Sequence, residues 1–209
     1  MTTLILRRHS TKDGPQDTIG PKGLLLARRE GDNQDVVDPE VDHIFHGPLV
    51  RTAQTALAFA GQMGCKSVSY PVVDGLGSAA MFGDMVTDAF KAGVKSGKSN
   101  FVALIETHGV ERCQEWAVRA CLPAVEGMFD ILVDEDVGIG FFHSPTIELA
   151  AWAVAGCPDI KDFPAEYAQL GDLEGVTFYR DDEGAITLGD KISVEPLSAE
   201  ELAEAGIAS

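Results

Sequence analysis

The sequence predicts a three-layer α/β/α sandwich on a mostly parallel central sheet, formed by one domain over residues 1–209. Three observations carry this. Short apolar runs of strand character alternate with longer stretches of helical periodicity across the first 155 residues, the order that a parallel sheet covered by helices requires. The chain has 209 residues, 45% hydrophobic and 23% charged, enough for one substantial core in an ordinary water-facing fold. No repeat, low-complexity segment or interdomain linker divides it.

The elements follow in order. Thr3 to Arg8 is an apolar strand entering a polar loop at Ser10. Gly20-Pro21 opens a helix, with proline at its first position, that runs to about Glu30 and is stopped by Gly31. Val41 to Phe45 is a second strand. Pro48 starts a helix over Leu49 to Met63, ended by Gly64. Ser67 to Val73 alternates and is a strand by composition, followed by a glycine-rich loop to Gly83 and a helix over Met85 to Val94. Phe101 to Ile105 is assigned to a helix capped by Ser99 or Asn100. The helical spacing then continues from Val110 through Ala124, and Cys113 and Cys121 fall on one face. Val137 to Phe142 is a buried strand, and Ser144-Pro145 starts a helix through Val154. Val176–Arg180 and Ala185–Leu188 flank Asp-Asp-Glu-Gly as a hairpin, and Ser198 with Glu201 forms a capping box.

The net charge of −17 argues against nucleic acid or an anionic membrane face as a partner. It also makes any cluster among the 16 basic residues informative. The four cysteines lack metal-ligand spacing and read as small buried hydrophobes. The N-terminal apolar run is too short for a signal peptide or a membrane span, so a cytoplasmic location is expected. His43 and His46 have no nearby ligand set, and no metal site is expected there. His108 and Arg7 are expected at the surface, Arg7 because strand alternation points it away from Arg8. Trp116 and Trp152 are expected in the core.

In open α/β sheets, ligands gather at the carboxyl ends of the strands. Here those ends read Arg7-Arg8-His9-Ser10, Phe45-His46-Gly47 with Arg51 following in a helix, and Phe142-His143-Ser144. Neutral imidazole is a nucleophile, and a hydrogen bond to one ring nitrogen fixes the tautomer that leaves the other available. Guanidinium forks match phosphate oxygens at any working pH. The helix start at Ser144-Pro145 adds amides that favour an anion. The set suits phosphoryl transfer, in which the protein positions the group and stabilises its charge.

The same residues resemble a known family. Leu6-Arg7-Arg8-His9-Ser10 is similar to the Arg-His-Gly motif of the histidine phosphatase superfamily, also called phosphoglycerate-mutase-like. Gly47-Pro48-Leu49-Val50-Arg51-Thr52-Ala53-Gln54-Thr55-Ala56 resembles its second motif, and Phe142 to Glu148 its third. Asp17 to Gly23 with Ala27 resembles its loop and first helix, and the likeness spans roughly residues 3 to 155. The resemblance implies a phosphoglycerate-mutase-like fold and a metal-independent phosphatase without cofactor. His9 would be phosphorylated. Arg8, Arg51 and His143 would hold the phosphoryl group, with Ser10 and Ser144 also at the substrate. The substrate would be a small phosphomonoester or phosphoramidate, or a phosphohistidine protein.

Two departures bear on activity. Ser10 stands where the family has glycine; its Cβ restricts positive φ, and its hydroxyl is available as a donor to phosphate. Many relatives carry a glutamate after the third strand that protonates the leaving oxygen. Here that position falls near Ser78, with Asp74, Asp84 and Glu106 as candidate substitutes. The missing glutamate favours phosphoramidates or good leaving groups. With Ser10 it makes a catalytically silent phosphate-binding module one alternative, and it counts against the other, a phosphoglycerate-type mutase, which would need an acid. Selectivity is assigned to the segments at 74–100 and 158–175.

Overall fold

The computed structural model describes residues 1–12, 14, 18–37, 41–63, 73–77 and 83–207. Residues 67–72 of the strand expected over Ser67 to Val73, the loop position Ser78 and Cys65 lie outside them.

β1 (Thr2–Arg8) is parallel to β3 (Val137–Phe142), which is parallel to β2 (His43–His46). On its other side β1 pairs antiparallel with β4 (Gly175–Arg180), and β4 with β5 (Ile186–Ile192). The sheet order is β2-β3-β1-β4-β5, so the parallel part holds the first motif strands and the hairpin extends it.

Strand periodicity divides the core between the two faces. Leu4, Leu6, Phe45 and Phe142 enter one cluster; Ile5, Ile44, Ile139 and Phe141 enter the other. The helices α1 (Pro21–Val37) and α2 (Val50–Ala60) cover the second face through Leu26, Ala27, Ala56 and Phe59. The first face is covered by α3 (Asp88–Lys95), α4 (Asn100–His108), α5 (Val110–Trp116), α6 (Leu122–Phe129) and α7 (Thr146–Val154). This is the three-layer arrangement the sequence predicts. Phe45, Phe59, Phe101, Phe129, Phe141, Phe142 and Phe178 are fully buried, each stabilising by roughly 1.5–3 kcal/mol relative to exposure.

Ser99 and Thr87 cap α4 and α3 by accepting from Val102 and Phe90 N–H. The capping box of Ser198 and Glu201 starts the terminal α8 (Ala199–Glu204). Between α5 and α6, Ala117–Cys121 forms a π turn. Pro123 follows it in the first turn of α6; lacking an N–H, it cannot complete the regular ladder there. Cys113 and Cys121 are buried free thiols on one side, and burial pushes Cys113 up to about 12. No helix of the described residues is long and apolar enough to cross a membrane.

Three expectations are corrected. Gly31 does not end α1, which continues to Val37. A Cβ at Gly31 would overlap the Phe59 carbonyl, so the glycine serves the close approach of α1 to α2 rather than a stop. Arg7 is not at the surface. Alternation does turn it from Arg8, but that face is covered by α1, where Arg7 is 4% exposed. There it pairs with Glu30 at 3.7 Å, donates to Gln34 Oε1 and Leu173 O, and lies over the Phe59 ring. Burial pushes its guanidinium down to about 10, against the opposing charge of Glu30. His108 is half-buried: its Nε2 donates to Met85 O at 2.9 Å and its ring meets Trp116 edge-on.

Candidate active site

The sheet register sets the geometry. Arg8 pairs with Phe142 and His46 with Phe141, so β1, β2 and β3 end together. The ladder runs one step further: His9 N–H donates to Phe142 O at 2.9 Å, and Gly47 N–H to Phe141 O at 3.0 Å. His9 and His143 therefore leave adjacent parallel strands side by side, with ring centroids 4.7 Å apart and rings edge-to-face.

His9 Nδ1 lies 2.7 Å from Ser10 O, so it carries the proton and donates it to that carbonyl. Nε2 is then the lone-pair nitrogen, and it accepts from Arg51 Nε at 3.2 Å. Arg51 Nη2 donates to His143 Nδ1 at 3.2 Å, which makes His143 an Nε2–H tautomer. One guanidinium in the first turn of α2 thus spans both imidazoles. Burial pushes His9 down to about 3; the Arg8, Arg51 and Lys12 charges act the same way, against the bond to Ser10 O. His143 is lowered too, by burial first and then by His9, Arg51 and Arg8. Both rings are neutral at neutral pH, the form a nitrogen nucleophile needs.

The histidines open into a cleft of about 410 Å³ that Arg8, Lys12, Arg51, Asn100 and Ser144 also line. Three of the 16 basic residues of a chain with net charge −17 converge here. Arg8 is anchored at its far side, donating to Leu170 O at 2.9 Å and pairing with Asp172 at 3.5 Å. Asp172 also accepts from Thr11 Oγ1 at 2.7 Å. Arg8, Thr11 and Asp172 form a shared wall with a second groove of about 750 Å³, which Lys22, Leu26 and Lys191 line beyond it. Val86, Phe90 and Asn100 on one side and Asp172 on the other come from the segments to which selectivity was assigned.

The structure brings together five of the six expected residues: Arg8, His9, Arg51, His143 and Ser144. Ser10 stands apart. It is fully buried, its hydroxyl donates to Gly23 O at 2.7 Å and its N–H to Thr55 Oγ1 at 3.1 Å. Its backbone is not among the positive-φ positions, so serine fits without strain, and its hydroxyl faces α1 rather than the cleft. The expected amides at the start of α7 are also engaged: Thr146 and Ile147 N–H donate to His143 O. Asp84 and Glu106 are exposed and outside the cleft, Glu106 in an ion pair with Lys98; the Asp74 side chain lies outside the described atoms. No group of three or more potential metal-ligating side chains occurs among the described residues, His43 and His46 included.

Lys12, Asn100 and Glu148 were missed as site residues. Lys12 and Asn100 sit in loop and cap positions without periodicity. Glu148 lies in the third motif, but a glutamate in the first turn of a helix ordinarily answers the helix dipole. Here it is fully buried behind Ser144, hydrogen-bonded to its hydroxyl. Burial pushes its carboxyl up to about 7, only partly offset by Ser144, backbone groups and Arg8.

A pair of neutral histidines bridged by arginine thus lies at the carboxyl edge of the parallel strands. No family model and no curated protein matches the sequence. Solved structures match throughout. The phosphoserine phosphatase of Entamoeba histolytica, in complex with 3-phosphoglyceric acid, is 20% identical, with 95% of this chain and 100% of that chain covered and a TM-score of 0.59. The protein histidine phosphatase SixA, complexed with tungstate, is 13% identical over 91% and 96% of the two chains, TM-score 0.56. Phosphoglycerate mutase from Plasmodium falciparum is 14% identical over 95% and 96%, TM-score 0.51. The chain has the phosphoglycerate-mutase-like fold that these solved structures share.

Proposed function

We propose that the chain is a phosphatase that works through a phosphohistidine on His9. The observation that carries this is the His9 ring itself. Its Nδ1 proton is held by Ser10 O, and Nε2 carries a lone pair within reach of the Arg51 guanidinium. In the first step Nε2 attacks phosphorus and the bond from phosphorus to the leaving atom breaks. In the second, water attacks phosphorus, the Nε2–phosphorus bond breaks, and inorganic phosphate is released. Arg51 and Arg8 offer guanidinium donors to the equatorial oxygens, and His143, which lines the same cleft, is held beside them by the Arg51 bond to its Nδ1. Guanidinium charge then does the work a metal does elsewhere, so the reaction is metal-independent in this reading.

The substrate class is a phosphomonoester or a phosphoramidate, including a phosphohistidine side chain of another protein. The match to a protein histidine phosphatase and the groove of about 750 Å³ that shares a wall with the cleft support the larger substrates. The test is hydrolysis of para-nitrophenyl phosphate and of phosphoramidate, with a chelator present, by wild type and His9→Ala. Turnover that vanishes in His9→Ala, with a 32P label trapped on wild-type His9, is the expected result. A folded wild type that binds phosphate but turns over neither substrate identifies a phosphate-binding module instead, and isomerisation in a coupled assay would identify a mutase.

A further inference from the structure

Resting on the phosphohistidine reading above, we infer that Ser144 donates the proton to the leaving oxygen and that Glu148, behind it, supplies that proton. The two groups form a short chain from the buried core to the cleft wall. Glu148 has no solvent exposure, and its Oε1 is in hydrogen-bond contact with Ser144 Oγ. Ser144 Oγ also accepts from Asn100 Nδ2 at 2.8 Å, and both Ser144 and Asn100 line the cleft.

The argument is one of hydrogen-bond capacity. A serine oxygen has one hydrogen and two lone pairs, and an amide NH2 only donates. Asn100 therefore fills one lone pair of Ser144. When Glu148 is ionised it can only accept, so the serine hydrogen must turn back to it and away from the cleft. When Glu148 is protonated it donates to the second lone pair. The Ser144 hydrogen is then released towards the cleft, where the leaving group lies. Protonation of Glu148 thus decides whether Ser144 is a donor to the substrate.

The step balances. As the His9 Nε2–phosphorus bond forms, the bond from phosphorus to the leaving oxygen breaks. The Ser144 hydrogen passes to that oxygen, and the Glu148 proton passes to Ser144 Oγ. Glu148 is left as a carboxylate. In the hydrolysis step the transfer reverses, with water giving its proton back through Ser144. No other reactant is needed.

The surroundings favour a carboxyl that holds a proton near neutrality. Glu148 is enclosed by α7 and the π turn, and burial raises it to about 7. The charged and titratable groups facing it are Arg8 of β1, whose charge opposes the rise, and the Cys121 thiol of the π turn, itself held neutral by burial. A proton source at Ser144 and Glu148 stands in for the loop glutamate that the sequence lacks near position 78.

The test compares leaving groups. Para-nitrophenol leaves readily as the anion, whereas phenol needs a proton. Glu148→Gln keeps the shape and still donates to Ser144, but has no proton to transfer; Ser144→Ala removes the donor. For each variant the measured quantity is kcat/KM for phenyl phosphate divided by that for para-nitrophenyl phosphate. We expect this ratio to fall about 100-fold in both variants, the lower end of what a positioned acid contributes. In wild type the phenyl phosphate rate should also decline as pH rises through about 7, a limb that Glu148→Gln lacks. A ratio within about threefold of wild type in either variant overturns the inference, including when general damage lowers both rates equally. If the wild type is active and the ratio holds, only the proton route fails. If the wild type hydrolyses neither ester, the phosphatase reading fails and the route falls with it.

Discussion

Replacing Arg51 by alanine tests the site through the side chain that joins its two histidines. In the resting cleft Arg51 makes two bonds of 3.2 Å to imidazole nitrogens. Long bonds to neutral acceptors contribute little, roughly 0.5–1.5 kcal/mol each. With a phosphoryl group in place the same guanidinium donates to anionic oxygens, and such bonds are worth roughly 1.5–3 kcal/mol apiece. Taking two of them gives about 3–6 kcal/mol of transition-state stabilisation, or roughly 100- to 20,000-fold in kcat/KM at about 1.4 kcal/mol per decade. Arg51 belongs to neither hydrophobic core and is partly exposed, so its loss should change unfolding free energy by about 1 kcal/mol or less. The assay is kcat/KM on para-nitrophenyl phosphate at pH 7, alongside chemical denaturation of the same preparations. Arg51→Lys keeps the charge but not the fork, and should recover about a tenth of the lost rate. A loss under about fivefold in Arg51→Ala, or Arg51→Lys no better than alanine, would refute the assigned role.

Other outcomes follow from the same geometry. His9 and His143 should show flat ring resonances in an NMR titration from pH 5 to 8, while an ordinary histidine titrates near 6.5; movement of either ring through that range would contradict their enclosure. Because both folded-state values are lowered, the unfolded chain takes up protons below about pH 6.5 that the folded chain refuses, and stability falls with acid from there towards pH 3. Glu148 has the opposite sign: between its unfolded value of 4.5 and about 7 it costs stability as pH rises, so Glu148→Gln should steepen the acid loss over that window in a urea series. Glu30→Gln strands the Arg7 guanidinium in the α1 layer, and should destabilise by about 3 kcal/mol with little change in KM; a shift under 1 kcal/mol would show that Gln34 and Leu173 suffice. Ser10→Gly removes the bond to Gly23 O and should cost about 1 kcal/mol of stability without raising activity, and a faster variant would restore Ser10 to the cleft.

The fold was legible wherever apolar periodicity and end signals agreed. β3 is Val137–Phe142 as expected, because six small or apolar residues sit between a polar turn and a histidine. The hairpin and the capping box are local chemistry and were read directly. The failures are places where tertiary packing decides. Gly31 looks like a helix stop until Phe59 is known to press against it. Arg7 looks like a surface residue until α1 is placed over that face of β1. In the site, the three motifs pointed to the histidines and arginines because His9 and His143 each lie one step past a strand, Arg8 closes β1 and Arg51 enters the first turn of α2. Ser10 was misjudged because a one-dimensional motif does not show which way a hydroxyl turns. Glu148 was passed over because the sequence places it at a helix start, and only the packing shows that this start faces inwards.

The ladder bonds from His9 and Gly47 to β3 have a consequence for how such a site can vary over time. The spacing of His9 and His143 is set by backbone register within the sheet, so it survives any change that leaves three short strands aligned. The other walls of the cleft, around Val86, Phe90 and Asp172, hang from helices and loops outside that register. Those walls can be rewritten residue by residue without disturbing the imidazole pair. What the cleft admits can therefore be altered from its walls while the two imidazoles stay where the strands put them.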